Sequence, residues 1–258
     1  MILDEIARST RTRVEQCKRT HSPESVMKLA RSMPRGNFPF EQALKGGGIS
    51  FICEVKKASP SKGLIAVYFP YCRIARDYEK AGASAVSVLT EPEYFMGSSR
   101  YLSEIRQTVS LPLLRKDFTI DEYQLYEAKT LGADAVLLIC SLLDEETIRL
   151  FLQICEDLGL SALTEAHSEE EISRALRAGA RIIGINNRNL TTFQVDFENS
   201  MRLRSLVPGD VLFVAESGIK TREDVMRLEQ IGVDGVLIGE TLMRAPDKKA
   251  MLDSLKGR

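Results

Sequence analysis

The chain contains no tryptophan and only two histidines, His21 and His167, in 258 residues. Two histidines cannot build a multi-histidine metal centre, so acid–base chemistry in this protein must rely on Lys, Glu and Asp. The five cysteines are widely spaced and include no CxxC pair. Their odd number and spacing exclude a disulfide scaffold and a zinc ribbon.

Long apolar runs and an excess of charge of one sign are also missing. The longest apolar stretches, such as AVLLIC at 135–140, are too short to cross a bilayer, and no secretory leader pattern is present. With 35 Lys and Arg against 36 Asp and Glu, the chain offers no basic field for a polyanion. We therefore expect a cytoplasmic monomer or weak homo-oligomer, with no nucleic-acid or membrane partner.

From about residue 49 onward, short β-rich runs alternate with longer amphipathic runs. The predicted strands are 50–56, 84–90, 111–117, 134–140, 161–166, 181–186, 211–216 and 234–239. Several of the helical patterns between them open with Asp or Ser followed by acidic residues, and close on Gly. Near-continuous apolar strands with helical crossovers indicate a parallel sheet that is covered on both faces.

One helix-to-strand junction recurs along the chain as AGASAV, LGADAV, AGARII and IGVDGV. Its glycines, Gly82, Gly132, Gly179 and Gly232, are separated by 50, 47 and 53 residues, which is two strand–helix units per interval. Eight such units predict a single domain, a (β/α)₈ TIM barrel over 49–258. An open doubly wound sheet is the alternative, but its usual GxGxxG turn is replaced here by KKASPSKG after the first strand.

Residues 1–48 lie outside the eightfold pattern and predict an N-terminal helical extension. ILDEIARSTRTRVEQCKRT is typical of one amphipathic helix, and PESVMKLARSMP of a shorter one that is halted by Pro34. We expect the extension to plug or brace one end of the barrel. The basic residues between 8 and 19 indicate a solvated helix face rather than an anion site.

Polar residues interrupt the apolar strands at their carboxyl ends, where barrel enzymes carry their catalytic groups. Alternation along the first strand places Glu54 and Lys56 on one face, which we expect to be the barrel interior. Later strands end in further polar residues, namely Arg115, Lys116, Asp117, Glu165, Asn186, Asn187, Arg188, Glu216 and Ser217. A structural ion pair would explain any one couple, but the recurrence of both signs at one rim predicts a catalytic site.

Two glycine-containing strings, SGI at 217–219 and IGE at 238–240, follow the seventh and eighth strands. Glycine lets backbone N–H groups approach an anion, and a following helix N-terminus adds a favourable dipole. A single glycine of this kind is more often a simple turn. Their pairing on adjacent strands predicts a phosphate site, formed by Ser59, Gly218, Gly239 and Glu240.

Seven strings together resemble one enzyme family. They are ICEVKKASPSKG (52–63), SVLTEPEYFMGS (87–98), LPLLRKDFTID (111–121), LTEAHSEEE (163–171), IIGINNRNL (182–190), VAESGI (214–219) and VLIGETLMR (236–244). By these strings the chain strongly resembles the indole-3-glycerol-phosphate synthases of tryptophan biosynthesis. The strings span seven of the eight strands in order, and Met96 departs from the polar residue found in many members.

The resemblance implies a carboxy-lyase. Its substrate would be 1-(2-carboxyphenylamino)-1-deoxyribulose 5-phosphate, converted by ring closure, decarboxylation and dehydration to indole-3-glycerol phosphate. Neither a metal nor an organic cofactor is expected, because the carboxylate leaves from a carbon next to a developing cation.

The resemblance also implies roles for the residues of the rim. Lys116 would be the acid at the ketone oxygen, and Glu165 the leading base. Lys56 would hold the carboxylate or act as the dehydration acid, with Glu54 tuning both lysines. The remaining expected contributors are Asn186 and Arg188 for orientation, Glu216 to complete the polar ring, Phe95 and Phe118 for the aryl ring, and Ser217 beside the phosphate.

Two other readings of the sequence stay open at this point. One is another phosphate-binding barrel enzyme, such as phosphoribosylanthranilate isomerase or the tryptophan synthase α subunit. A rim of two lysines and two glutamates fits carboxylate binding and decarboxylation better than isomerisation. The other is a non-catalytic barrel that binds a phosphorylated ligand, which the presence of both Lys116 and Glu165 makes the weaker reading.

Overall fold

Eight parallel strands close into a barrel in the computed structural model, which describes residues 2–189 and 192–258. The barrel strands are β1 (Ser50–Val55), β4 (Ala85–Leu89), β5 (Leu113–Lys116), β6 (Ala135–Ile139), β7 (Ser161–Ala166), β8 (Ile182–Asn186), β9 (Leu212–Glu216) and β10 (Gly235–Ile238). They confirm the predicted TIM barrel. Two short strands that were not predicted, β2 (Ala58–Ser59) and β3 (Gly63–Leu64), form an antiparallel hairpin after β1.

The ring runs in the order β1-β10-β9-β8-β7-β6-β5-β4 and closes between β4 and β1. The carboxyl ends of all eight strands therefore lie at one rim, and β5 faces β9 across the ring. Helices follow the strands as α4 (Tyr71–Lys80), α5 (Ser99–Arg106), α6 (Tyr123–Thr130), α7 (Glu145–Leu158), α8 (Glu169–Ala178), α9 (Glu198–Leu203), α10 (Arg222–Gln230), α11 (Glu240–Arg244) and α12 (Lys248–Lys256).

Capping residues place the starts of several of these helices. The Asp144 side chain accepts a hydrogen bond from Thr147 N at 2.8 Å at the start of α7. At α10, Thr221 and Asp224 form a capping box, which satisfies backbone donors that the helix itself leaves free. The Asp144 contact confirms one of the start signals predicted from the sequence, whereas the Thr221 cap was not among them.

Alternate residues of each strand enter two separate apolar layers. Side chains such as Ile52, Leu114 and Leu163 fill the barrel interior, while Phe51 and Phe213 pack outward against the helices. Burial of such a side chain stabilises the fold by roughly 1.5–3 kcal/mol. No helix within the described ranges is long and apolar enough to span a membrane.

The N-terminal extension contains α1 (Ile2–Thr20), α2 (Pro23–Ser32) and α3 (Pro39–Leu44), the last of which was not predicted. Helix α3 lies beneath the amino ends of the strands. Its Phe40 and Leu44 join the interior cluster, and Ser50, the first residue of β1, donates a hydrogen bond to Ala43 O at 2.8 Å. This segment closes the bottom of the barrel.

Helix α1 lies at the opposite end, beside the carboxyl ends of the strands. Ile2, Leu3 and Ile6 line the cavity that opens there. The prediction that the extension covers one end was therefore incomplete, because α1 and α3 contact opposite ends of the barrel.

Ion pairs hold α1 against the loop that follows β5. Arg13 donates to both carboxylate oxygens of Asp117, at 2.6 and 3.1 Å, and Lys18 contacts Asp121 at 2.7 Å. Burial alone would raise the pKa of Asp117, but Arg13 and Arg115 hold it below its usual value. The prediction of a solvated basic face is wrong for Arg13 and Lys18, because both pair with acidic groups of the barrel.

We expect Arg13→Ala to lower the free energy of unfolding by about 1–3 kcal/mol, since the buried Asp117 carboxylate loses a two-point partner. Urea denaturation followed by circular dichroism measures the change. Arg11→Ala, on the exposed side of the same helix, serves as the control and should stay within about 0.5 kcal/mol of the parent. Equal losses in the two variants would contradict a specific role for the Arg13 pair.

Candidate active site

A cavity of about 840 Å³ opens at the carboxyl ends of the strands. The residues given individual roles by the sequence all line it: Glu54, Lys56, Ser59, Phe95, Lys116, Phe118, Glu165, Asn186, Arg188, Glu216, Ser217, Gly218, Gly239 and Glu240. Arg115 and Asn187, which the sequence also placed at this rim, do not line it, and Arg115 instead pairs with Glu127 at 2.6 Å. Within residues 2–189 and 192–258, no three His, Cys, Asp or Glu side chains are grouped so that they could hold a metal ion.

Lys116 occupies the centre of this rim. From the end of β5 its Nζ lies 3.7 Å from Glu165 Oε2 on β7 and 3.5 Å from Glu216 Oε2 on β9. Burial would lower the pKa of Lys116, but the carboxylates of Glu216, Glu165 and Glu54 outweigh it and raise the pKa above its ordinary value. Lys116 is therefore a mostly buried ammonium at neutral pH, with 15% of its side chain exposed, placed to donate a proton or to stabilise negative charge.

Glu54 and Lys56 form a second charged pair at the end of β1. Lys56 Nζ contacts Glu54 Oε1, while Val55 between them points outward into the apolar layer, as alternation predicts. Burial would raise the pKa of Glu54, but Lys56 and Lys116 hold it below its usual value. A Cβ atom at Gly239 would collide with Glu54 Oε1, so this position, directly after the neighbouring strand β10, must lack a side chain.

Glu216 differs from Glu54 in its protonation. Its side chain is buried, and Oε1 has no hydrogen-bond partner within the described part of the chain. Burial and the negative charge of Glu165 raise the pKa of Glu216 to about 8, with Lys116 offsetting them only in part. The rim thus combines a carboxylate that stays ionised with a carboxyl group that holds its proton near neutral pH, an arrangement suited to acid–base work.

The polar residues that end β8 face in different directions. Asn186 lies in the cavity, and its Oδ1 accepts a hydrogen bond from Arg188 N at 3.0 Å. Asn187 instead accepts from the Ser200 hydroxyl at 2.8 Å and donates to Ser217 O at 3.1 Å. Asn187 therefore fixes the loop after β9 rather than lining the cavity.

The predicted phosphate residues cluster where β1, β9 and β10 end. Ser217 and Gly218 both adopt positive φ, at 67° and 84°. The Glu240 carboxylate, at the start of α11, lies 3.5 Å from Lys62 Nζ and 3.1 Å from Arg244 Nε. Both of these cations line the cavity, and the sequence analysis missed them, although Lys62 stands inside the string KKASPSKG.

An apolar region lies where β4 and β5 end, and β5 faces β9 across the ring. The ring centroids of Phe95 and Phe118 are 5.9 Å apart. The loop that carries Phe95 is held by the buried carboxylate of Glu91, which accepts backbone hydrogen bonds from residues 93 to 95 at 2.8–3.0 Å. Glu91 was not predicted, although its place two residues after β4 made it a strand-end polar residue like the others.

Comparison with known proteins agrees with this geometry. The family described as indole-3-glycerol phosphate synthase matches residues 3–255. The chain belongs to this family. The indole-3-glycerol phosphate synthase of Ruminiclostridium cellulolyticum is 57% identical over 258 residues, covering 100% of this chain and 99% of its own. That of Endomicrobium trichonymphae is 55% identical over 257 residues, covering 99% and 100%.

More distant structures share the barrel alone. The 3-hexulose-6-phosphate synthase of Salmonella typhimurium superimposes with a TM-score of 0.67 at 11% identity, covering 81% of this chain and 97% of its own. A tryptophan synthase complex from Pyrococcus furiosus gives 0.60 at 14% identity, covering 82% and 98%. Identities as low as these show that the fold is shared. They do not show whether this member of the indole-3-glycerol phosphate synthase family shares an activity with those barrels.

Because the pKa of Glu216 is raised in the folded state, we expect the free energy of unfolding of this family member to depend on pH. Between the unfolded pKa of about 4.3 and the folded value of about 8, the folded state binds more protons than the unfolded state. Stability therefore falls as pH rises through this range. We expect Glu216→Gln to remove this fall in stability. Between pH 5.5 and 8.5, the free energy of unfolding of Glu216→Gln should therefore rise by at least about 1 kcal/mol relative to that of the parent.

Urea unfolding at pH 5.5, 7 and 8.5 measures the difference. Glu223→Gln, on the exposed first turn of α10, is the matched control and should track the parent at every pH. A constant offset between Glu216→Gln and the parent would contradict the raised pKa.

Proposed function

We propose that the chain converts 1-(2-carboxyphenylamino)-1-deoxyribulose 5-phosphate to indole-3-glycerol phosphate, with loss of carbon dioxide and water. The observation that carries this proposal is the mostly buried Lys116 ammonium, which lies among glutamate side chains. The same cavity contains the predicted phosphate-binding loops and the rings of Phe95 and Phe118. Family membership over residues 3–255 supports the same reaction.

The two sides of the cavity favour one orientation of the substrate. The phosphate would lie by the loops after β1, β9 and β10, where Ser59, Gly218 and Gly239 present backbone near the cations Lys62 and Arg244. The carboxyphenyl ring would lie across the barrel, against Phe95 and Phe118. This places the ketone and the reacting ring carbon near the centre of the rim, beside Lys116.

Ring closure joins the carboxylate-bearing ring carbon to the ketone carbon. As that bond forms, the ketone oxygen gains negative charge, and the Lys116 ammonium would stabilise it and supply the proton. The carboxylate then leaves as carbon dioxide, and its bonding electrons restore the aromatic ring. Arg188 and Asn186 are proposed to hold the carboxylate or the hydroxyl groups during these steps.

Dehydration needs a base that removes a proton and an acid that protonates the departing hydroxide. Glu165 is the proposed base, because its buried carboxylate faces Lys116 at the centre of the cavity. Lys56 is the proposed acid, with a second role as carboxylate clamp, and Glu54 holds its ammonium in place. Glu216, with its raised pKa, completes the ring and adjusts the charge on Lys116.

The substrate of this proposed reaction is a small phosphorylated molecule, and the residues named above carry every proton transfer. The location in the cytoplasm and the monomer or weak homo-oligomer stay predictions from the sequence.

We expect Lys116→Ala to lower kcat by at least about a hundredfold while substrate binding stays measurable, because a general acid is lost. Formation of the indole product is followed by its absorbance and fluorescence, which differ from those of the anthranilate-type substrate. Lys28→Ala, on the exposed face of α2, should keep the activity of the parent. Activity like the parent's in Lys116→Ala would remove Lys116 from its role, and no indole product from the parent would overturn the proposed function.

Gly184→Ala tests the space that Glu216 needs. A Cβ atom at Gly184 in β8 would collide with Glu216 Oε1 and lie 3.1 Å from Leu163 Cδ1. We expect displacement of the carboxyl group and a roughly tenfold to hundredfold loss of kcat, since small misplacements in an active site are costly. Gly209→Ala is the control, because a Cβ there meets nothing within 4 Å. Equal activity in the two variants would contradict this constraint.

A further inference from the structure

His167 lies beside the proposed catalytic base. It follows β7 directly, and alternation places its side chain on the same side as Glu165, two residues earlier. The side chain is 18% exposed. The chemistry proposed above assigns no role to this imidazole.

Each ring nitrogen of His167 faces a carboxylate. Nε2 lies 3.6 Å from Glu165 Oε1, and Nδ1 lies 3.5 Å from Glu171 Oε2. Neither nitrogen is exposed to solvent or makes a well-formed hydrogen bond within the described part of the chain. The other oxygen of Glu165, Oε2, faces Lys116 Nζ at 3.7 Å, so the carboxylate stands between an ammonium and an imidazole.

Glu171 is held firmly on the far side of the imidazole. Its Oε1 accepts a hydrogen bond from Ser141 Oγ at 2.7 Å, and its Oε2 accepts from His167 N at 2.7 Å. Burial would raise the pKa of Glu171, but these donors and the imidazole keep it below its usual value. A fixed carboxylate at this place favours a positively charged ring.

The charged groups around His167 come from several elements. Glu165 faces it from β7, Glu171 from α8, and Glu216 acts on it from β9. Lys116 lies on the other side of Glu165, and Arg174, on α8, donates to Cys140 O at 2.7 Å. Burial would lower the pKa of His167, but Glu171, Glu165 and Glu216 outweigh it and raise the pKa above its ordinary value.

We propose that His167 is a positioning residue, whose imidazolium, anchored by Glu171, holds the Glu165 carboxylate in place and aimed at the substrate. The part played by Glu165 rests on the proposed function. The electrostatic coupling between His167 and Glu165 does not, because it follows from the distances alone. A histidine that merely packs the loop after β7 would show no such coupling.

Nuclear magnetic resonance tests the coupling without any turnover. The chain has only two histidines, so His21→Gln leaves the His167 ring as the single imidazole signal. We expect it to titrate above about 6.5. Glu165→Gln and Glu171→Gln in this background should each lower its pKa by roughly half a unit or more, since each removes a close opposite charge. A His167 pKa that is unchanged by Glu165→Gln would overturn the proposal.

Kinetics tests the consequence for the reaction. We expect His167→Asn to lower kcat roughly tenfold with little change in KM. The acid limb of its pH profile should move to higher pH, because the cluster around Glu165 loses a cation that lies 3.6 Å away. Glu171→Gln should shift the limb in the same direction by less, and His21→Gln should match the parent.

Failure of the His167 proposal can be distinguished from failure of the proposed function. A lower kcat with an unmoved acid limb in both His167→Asn and Glu171→Gln would make His167 a structural residue and overturn the proposal. If the parent forms no indole product, the proposed function fails, while the resonance titration still decides whether His167 and Glu165 are coupled.

Discussion

The mostly buried ammonium of Lys116 constrains much of the structure around it. A charge largely removed from water is tolerated only with close partners of opposite sign; Glu54 and Glu165 supply them at neutral pH, and Glu216 adds a third when it ionises near pH 8. Glu54, Glu165 and Glu216 come from β1, β7 and β9. These three strands must therefore end at the same level along the barrel axis for the cluster to form. Space is a second requirement, which the missing side chains at Gly184 and Gly239 meet.

The carboxylates around Lys116 do not share the charge equally. Glu54 lies next to a second cation and stays ionised, whereas Glu216 lies against Gly184 with one oxygen unpaired within the described residues, and takes up its proton near pH 8. Different surroundings thus separate the pKa values of chemically identical groups. One set of glutamates can in this way supply both an acid and a base without a histidine that contacts the substrate.

The architecture and the site could be predicted from the sequence to different depths. Parallel strands bring their carboxyl ends to one rim, so strand-end residues such as Lys116 and Glu165 were predictable before their distances were known. Short elements such as α3 and the β2–β3 hairpin show too few residues for periodicity to reveal them. The partners of Arg13 and the outward turn of Asn187 depend on loops, whose paths follow from tertiary contacts rather than from any local pattern.

The placement of α1 has a consequence for the order in which the protein is made. The helix is synthesised before the barrel strands, yet it rests on the loop after β5 and contacts Asp117 and Asp121, which emerge about a hundred residues later. Its apolar residues Ile2, Leu3 and Ile6 then complete a cavity whose last wall, at Gly239 and Glu240, follows the eighth barrel strand. A nascent chain therefore carries one wall of its cavity before the barrel begins but cannot enclose a substrate until the eighth strand has been made.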